Sequence, residues 1–394
     1  MKELDALRER IDRTDREILE KLRERVGLAA EAGRLKATGA PFLRDEGREA
    51  ALLSRVETEA RALGLDPYRS VEIFREVIAM SLKVQEEALL DRHAAERAAA
   101  HASRVSYQGI EGSYSHLAAR KYFSGRAGME YAGFPGFARA LQEAESGEAG
   151  YALLPIENTT AGSINETYDL LRHTALSIVG EEVLPVRHCL LAPEGAEVAS
   201  LARVLSHPQA LAQCSRFLAA LPGTTAIAFG DTAGAARHVA EAGDPTQAAI
   251  ASEEAAALYG LTVLSRGVAD QEENWTRFVV VSAIDIVPDP RIPAKTSLVL
   301  TTPHRHGALA HCLNVLAEHG RNLTKLESRP VPHEPFQYLF YLDFEGSLAE
   351  PGAARAVAQL RAECPYLKVL GSYPSRTTER GRVDRLPGKR ARRP

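Results

Sequence analysis

Apolar residues recur at three- and four-residue steps near the start of the chain, where Leu4, Leu7, Ile11, Ile18, Leu22 and Leu28 or Ala29 share one stripe uninterrupted by proline. That period predicts a single helix from Leu4 to about Ala37. At 1.5 Å per residue it would reach about 50 Å, more than a small domain can cover, so its stripe is expected to pack on a second chain. Two more helices are predicted, roughly Asp45 to Leu63 and Tyr68 to Leu90, separated by the GLDP turn at Gly64 to Pro67. Arg92 to Ser103, RHAAERAAAHAS, reads as a linker.

From Arg104 the period changes. Short β-type runs alternate with helical stretches: RVSYQG then HLAARKYF, YALLP then INETYDLL, RVLS then PQALAQCSRFLAAL. This is α/β patterning. Each run ends in a polar loop that enters a helix, namely GSYS, PIENTTAGS and SHPQ. Ser163 and Glu166 have the spacing of a capping box, and Pro208 suits a first helical turn. Loops at strand ends of open α/β sheets are where small ligands bind, and helix N-termini favour anions. Beyond the proline-rich DIVPDPRIPAK, the order SLVLTTP, ALAHCLNVLAEHG, NLTKLESRP, YLFYLDFEG, a helix through Val357 and Leu360, and KVLGSYP predicts a βαββαβ unit. The chain is therefore expected to be multidomain: an all-α unit at 1–92, a linker at 93–103, an α/β unit at 104–285, an α+β unit at 295–375 and a tail at 376–394.

Composition narrows the partners. A net charge of −4 and a pI near 6.3 give no general attraction to nucleic acid or an anionic membrane surface. The tail is locally basic and lacks apolar periodicity, so it is expected to be disordered. Cys189, Cys214, Cys312 and Cys364 lie far apart, with no C-x-x-C pair and no histidine at metal-ligand spacing. Neither a metal site nor a disulfide framework is expected, and a cytoplasmic location fits. No apolar run approaches a membrane span, no internal repeat is present, and the absence of G-x-G-x-x-G removes support for a dinucleotide cofactor.

The predicted helices carry Arg8, Arg25 and Lys36 at wide spacing, Asp45, Arg48 and Glu49 on one turn, and Ser81 and Gln85 one turn apart. Taken separately these suit a solvated face. Taken together, LRERID, RVGLAAEAGRLK, RDEGRE and SLKVQ resemble the all-helical chorismate mutases of the enteric type over about the first ninety residues. The resemblance implies that Arg8 (from a partner chain), Arg25 and Arg48 hold the carboxylates of chorismate, helped by Ser81. Lys36 and Gln85 would bond the breaking ether oxygen, and Glu49 with the Asp45 backbone region would take the hydroxyl. A pericyclic rearrangement needs positioning and charge stabilisation, and no nucleophile.

In ENWTRFVVV, Thr276 opens an apolar strand, which by itself is ordinary strand chemistry. Beside GSYSH, LLPIENT and LSHPQAL, however, the segment resembles the prephenate dehydratases across the whole middle of the chain. That family implies two α/β lobes with substrate between them and gives the threonine of TRF the catalytic role. Thr276 would donate a hydrogen bond to the departing ring hydroxyl of prephenate, a loss driven by aromatisation. Ser113, Asn158, Thr159, Ser206, Gln209 and Asn274 are plausible substrate contacts; Ser113 and Ser206 equally suit helix caps. Glu157 and His207 are open as assistants, and His116 and His207 are as readily structural. Arg277 alternates with Thr276, so one of the two faces the cleft.

A turn glycine at Gly307 and a strand-ending Pro330 need no function of their own. The pair GALA (Gly307, Ala308, Leu309, Ala310) and ESRP (Glu327, Ser328, Arg329, Pro330) nevertheless resembles the ACT regulatory domain from about Thr296 to Pro374. It implies L-phenylalanine as an allosteric inhibitor bound between two such domains near those segments, with Asn322 and Leu323 alongside. The combined expectation is a homo-oligomeric bifunctional enzyme of phenylalanine biosynthesis, a dimer or tetramer, with no cofactor. A non-catalytic amino-acid sensor would leave the mutase set and Thr276 unexplained. A mutase fused to an NAD-dependent dehydrogenase would need the missing glycine-rich turn.

Overall fold

A computed structural model of the chain describes residues 2–37, 46–94, 103–303, 305–331 and 337–377. Three helices come first: α1 (Lys2–Ala37), α2 (Glu46–Ala62) and α3 (Pro67–Ala94). Pro67 occupies the first turn of α3, and the Asp66 carboxylate accepts from the amides of Tyr68 and Arg69, which starts the helix. α3 lies against both other helices, burying Val56, Ala60, Val77 and Leu82. The stripe of α1 is left bare within one chain: Leu4, Leu7, Ile11 and Ile18 are each about half exposed. Among the described residues no helix is long and apolar enough to cross a membrane.

The next segment runs β1 (Arg104–Gln108), α4 (Tyr114–Tyr122), β2 (Glu130–Phe134), α5 (Phe137–Glu145), β3 (Tyr151–Asn158), β4 (Gly162–Ser163), α6 (Asn165–His173) and β5 (Ser177–Pro185). It continues as β6 (Cys189–Ala192), β7 (Arg203–Ser206), α7 (Pro208–Gln213), α8 (Ser215–Ala219), β8 (Thr225–Ala228), α9 (Thr232–Ala242), β9 (Gln247–Ala251), α10 (Glu253–Tyr259), β10 (Thr262–Arg266) and β11 (Trp275–Ser282). These strands form two sheets, hence two lobes. The first has the order β2-β1-β3-β11-β5 with β4 on β3, and the second β10-β6-β9-β7-β8. β11 is last in sequence yet returns to the first sheet, antiparallel between β3 and β5. That return sets the start of β11 beside the end of β3.

Three local expectations change. The strand beginning YALLP runs on through Glu157 and Asn158, so half of the expected loop is sheet. The cap of α6 is Ile164, because the Ser163 hydroxyl is drawn away to Glu327 at 2.7 Å, so no capping box forms. The single helix after Pro208 divides at Cys214: Asp270 accepts from Ser215 Oγ at 2.6 Å and from the Arg216 amide at 3.0 Å, capping a separate α8.

The C-terminal unit is β12 (Ala294–Thr301), α11 (Ala308–Glu318), β13 (Leu323–Pro330), β14 (Tyr338–Glu345), α12 (Pro351–Glu363) and β15 (Tyr366–Pro374), the expected βαββαβ order. Its antiparallel sheet runs β13-β14-β12-β15, with the helices covering one face over Leu298, Leu300, Leu342 and Phe344. The other face is buried against the first lobe. Val299, Leu339, Tyr341, Leu370 and Tyr373 join Leu154, Tyr168, Ile178, Val279 and Val281 in one continuous core. β15 comes so close to β5 that a Cβ on Gly371 would lie 2.2 Å from the Ile178 carbonyl oxygen.

Candidate active sites

Where β3 ends and β11 begins, Asn158 pairs across the ladder with Thr276. The Asn158 side-chain oxygen accepts from the backbone amides of Thr160 at 3.0 Å and Ala161 at 2.8 Å. Backbone N–H groups are donors only, so this fixes which end of the amide is which. Its nitrogen then donates to Thr276 Oγ1 at 2.9 Å and to Asn274 Oδ1 at 2.7 Å. Because the Thr276 oxygen is already accepting, its own proton is left to point elsewhere.

The same logic orients the next partners. Asn274 donates to Gln213 Oε1 at 3.0 Å, and Gln213 donates to Thr160 Oγ1 at 2.6 Å. Gln213 ends α7 in the second lobe, so these bonds cross between lobes. His188 Nε2 stands 3.0 Å from Gln213 Oε1, and the other ring nitrogen 3.2 Å from the Tyr114 hydroxyl. Burial lowers the His188 pKa, opposed by the bond to Gln213, so the ring is neutral at pH 7. The network is thus built of uncharged groups around one hydroxyl.

The remaining expected dehydratase residues divide. Thr159 clamps the Trp275 backbone, its amide donating to the Trp275 carbonyl and its hydroxyl accepting from the Trp275 amide, both at 2.9 Å. Ser113 caps α4, accepting from the His116 amide, while His116 Nδ1 accepts from the Gly112 amide. Ser113 ends the loop beyond β1 and His116 lies in the first turn of α4, at the same end of the sheet as Asn158 because β1 and β3 are parallel. His207 caps α7 through Nδ1, with the exposed Gln209 in the first turn.

Three assignments are corrected. Ser206 is fully buried and donates to the Ile250 carbonyl at 2.5 Å, tying β7 to β9 without facing the cleft. Glu157 and Arg277, one residue along from Asn158 and Thr276, project from the opposite face of the sheet. There Glu157 meets Lys325 Nζ at 3.0 Å, and Arg277 Nη1 meets Asp343 at 2.8 Å and Glu181 at 3.2 Å. Neither reaches the Thr276 hydroxyl. Gln213, Thr160, His188 and Tyr114 were not singled out from sequence.

In the helical unit, Arg25 on α1 donates to the Val77 carbonyl at 3.0 Å and to the Ser81 hydroxyl on α3, and Gln85 is buried one turn beyond. Burial lowers the Arg25 pKa. Arg48 and Glu49 lie in the first turn of α2, exposed and half-buried. Arg8 is exposed and pairs with Asp5 at 3.3 Å. Asp45 and the Lys36 side chain lie outside the described residues.

In the C-terminal unit Gly307 precedes α11 in the left-handed region, φ +72°, which glycine adopts without cost. Ala308 is buried, Leu309 half-buried, Asn322 exposed, and Leu323 packs into the helix-side core. ESRP divides by the strand's alternation. Glu327 and Arg329 turn to the first lobe, bonding Ser163 and Asp169, whereas Ser328 and Pro330 face outward beside Leu326.

Residues 105–285 match the family profile of prephenate dehydratase, and residues 7–86 that of chorismate mutase type II. The bifunctional chorismate mutase/prephenate dehydratase of Escherichia coli (strain K12) is 41% identical over 372 residues, spanning 94% of this chain and 96% of that protein. Prephenate dehydratase from Arthrobacter aurescens, solved in complex with L-Phe, aligns with a TM-score of 0.63 at 31% identity, covering 69% of this chain and 90% of that one. GqqA, described as a quorum quenching acylase, aligns with a TM-score of 0.62 at 36% identity, covering 69% of this chain and 98% of that one. With both profiles on one polypeptide and identity maintained along nearly its whole length, this chain belongs to the family of bifunctional chorismate mutase/prephenate dehydratases.

Proposed function

We propose that Thr276 drives the dehydratase step as a hydrogen-bond donor, and that the bond from Asn158 Nδ2 to its Oγ1 is the observation that carries this reading. Prephenate loses its carboxyl group as carbon dioxide, the released electron pair moves into the ring, and the ring C–O bond breaks. The departing oxygen takes up a proton and leaves as water. A free threonine hydroxyl is a weak acid, so the useful event is donation to that oxygen as charge develops on it. Asn158 supports the step twice: it keeps the hydroxyl proton turned outward, and it stabilises charge on Oγ1 while that proton is shared. The uncharged amide and hydroxyl partners suit this role, because Asn158, Asn274, Gln213 and Thr160 orient the hydroxyl without offering it a carboxylate. Ser113, Thr159, His207, Gln209 and Asn274 are proposed as the binding shell.

In the helical unit, Arg25, Arg48 and Ser81 are proposed to hold the chorismate carboxylates, with Lys36, Glu49, Gln85 and the Asp45 region around the ether and hydroxyl oxygens. Arg8 and Arg25 are 17 residues apart on one continuous helix, about 26 Å along its axis, so one chain cannot bring both to a single substrate. Arg8 of a second copy can, and the exposed stripe of α1 supports pairing of two copies. We assign regions 1–92, 104–285 and 295–375 to mutase, dehydratase and ACT units, the last binding L-phenylalanine as a feedback inhibitor near Gly307 to Leu309, Asn322 and the outward residues of ESRP. The Arthrobacter complex with L-Phe supports that ligand class.

The test is to supply chorismate and follow prephenate and phenylpyruvate, with and without phenylalanine. Both products should form in sequence, phenylpyruvate should fall as phenylalanine rises, and Thr276→Ala should stop the chain at prephenate. Phenylpyruvate formation by Thr276→Ala at the wild-type rate would overturn the role given to Thr276.

A further inference from the structure

The rung that carries Thr276 and Asn158 is followed by one that faces the other way, and what that second rung holds is unusual. Arg277 is almost wholly buried between β11 and the C-terminal sheet. Its Nη1 bonds Glu181 of β5 and Asp343 of β14. Asp343 also accepts from Ser297 Oγ at 2.5 Å. Glu181 is held by Lys295 at 3.2 Å, by the amides of Arg376 at 2.8 Å and Thr377 at 3.1 Å, and by Ser375 Oγ at 2.9 Å. Four titratable groups, two of each sign, are thereby sealed at the junction of two units.

Burial alone would push both carboxyl groups up. Lys295 and Arg277 more than offset this for Glu181, and Arg277 and Lys295 do so for Asp343, leaving both below the usual carboxylate range. Both carboxylates and the Arg277 guanidinium are therefore charged, and an interface that only needed adhesion could use apolar side chains at lower desolvation cost. The cluster is also incompletely satisfied. Arg277 Nε stands 3.4 Å from Glu157, and among the described residues neither Nε nor Nη2 has a hydrogen-bond partner. A buried guanidinium with spare donors has a second arrangement within reach, through Glu157, the ladder partner of Arg277 and the neighbour of Asn158. Glu157 is itself held by Lys325 of β13, which donates onward to Ser163 at 3.1 Å.

We propose that Arg277, through Asp343 and Glu157, is a positioning residue that sets the geometry of the Thr276–Asn158 pair according to how the C-terminal sheet is docked. A shift of β14 or β13 cannot leave the Arg277 charge unpaired, so the guanidinium follows it. The backbone of residues 276 and 277, and of 157 and 158, is then displaced by a connection one residue long. The C-terminal unit thereby acts on the hydroxyl without touching substrate. This inference rests on the role given above to Thr276, and it deepens the reading of the C-terminal unit as the regulatory one.

The experiment uses the full chain with Asp343→Asn, Arg277→Lys and Lys325→Met, beside Thr276→Ala. Mutase turnover and circular dichroism report folding. Asp343→Asn and Arg277→Lys are expected to lower dehydratase kcat by about tenfold or more, with KM within about threefold and mutase turnover unchanged. Inhibition by phenylalanine should weaken in the same variants. Lys325→Met, which breaks the link on the more accessible side, should shift the phenylalanine concentration for half-inhibition at least about threefold, and it decides the matter if the two buried variants fail to fold. Wild-type dehydratase kcat and wild-type inhibition in the folded variants, with Thr276→Ala inactive, would overturn this inference alone. An active Thr276→Ala would instead overturn the reading beneath it.

Discussion

The Asn158 amide donates to the Thr276 hydroxyl oxygen at 2.9 Å, and its orientation is set by two backbone amides that bind its carbonyl. Asn158→Asp keeps the size and removes the donor, so the Thr276 proton would turn back onto the new carboxylate. Dehydratase kcat should fall about 10²-fold, the usual cost of losing one preorganised donor, with mutase activity untouched. Steady-state assays on chorismate and prephenate separately check this.

Gln213 is the group of the second lobe that completes the network, bonding Thr160 and Asn274. Gln213→Ala should leave both Asn274 and Thr160 short of a partner and lower dehydratase kcat/KM about tenfold or more. Gln213→Glu should be no better, because its carboxylate cannot donate to Thr160. Comparing the two variants separates a need for shape from a need for the donor.

Gly371 lies against the Ile178 backbone with no room for a methyl group. Gly371→Ala should force β15 from β5, destabilise the chain by about 3 kcal/mol and lower dehydratase activity along with it. Urea unfolding reads the first effect. A variant as stable as the wild type would show that the two sheets are free to separate.

Glu181 and Asp343 have depressed pKa values in the folded protein. Stability they contribute is complete above the ordinary carboxylate range, near pH 4, and is lost as pH falls through their folded values. Between about pH 5 and about pH 3 the urea midpoint of the wild type should fall more steeply than that of Asp343→Asn, which has one such proton fewer to bind.

If each mutase site takes Arg8 from the partner copy, Arg8→Ala and Arg25→Ala chains are separately inactive and complement when mixed. Random reassortment would place one intact site in each mixed pair, giving about a quarter of wild-type activity. No recovery after subunit exchange would contradict the shared site.

Much of this was legible in the chain. The three regimes, the βαββαβ order and the long first helix follow from apolar period, because each period reflects which face is buried. Asn158 and Asn274 were reachable through their motifs. The alternation of a strand could also have excluded Glu157, since Asn158 beside it must face the other way. What stayed hidden are contacts without local signature: Gln213 meets Asn274 across 61 residues and His188 across 25. The ion cluster leaves only a faint trace in the sequence, since Glu181, Lys295 and Asp343 are charges set within apolar strands, where charge is rarely left without a partner.

The most direct measurement is the dehydratase kcat/KM of Thr276→Val beside Thr276→Ser, in the full chain with prephenate supplied. Valine keeps the branched shape and loses the hydroxyl, whereas serine keeps the hydroxyl. The account predicts that the valine variant loses about 10³-fold or more, the serine variant about tenfold, and that neither changes mutase turnover. A valine variant within about tenfold of the wild type would contradict it.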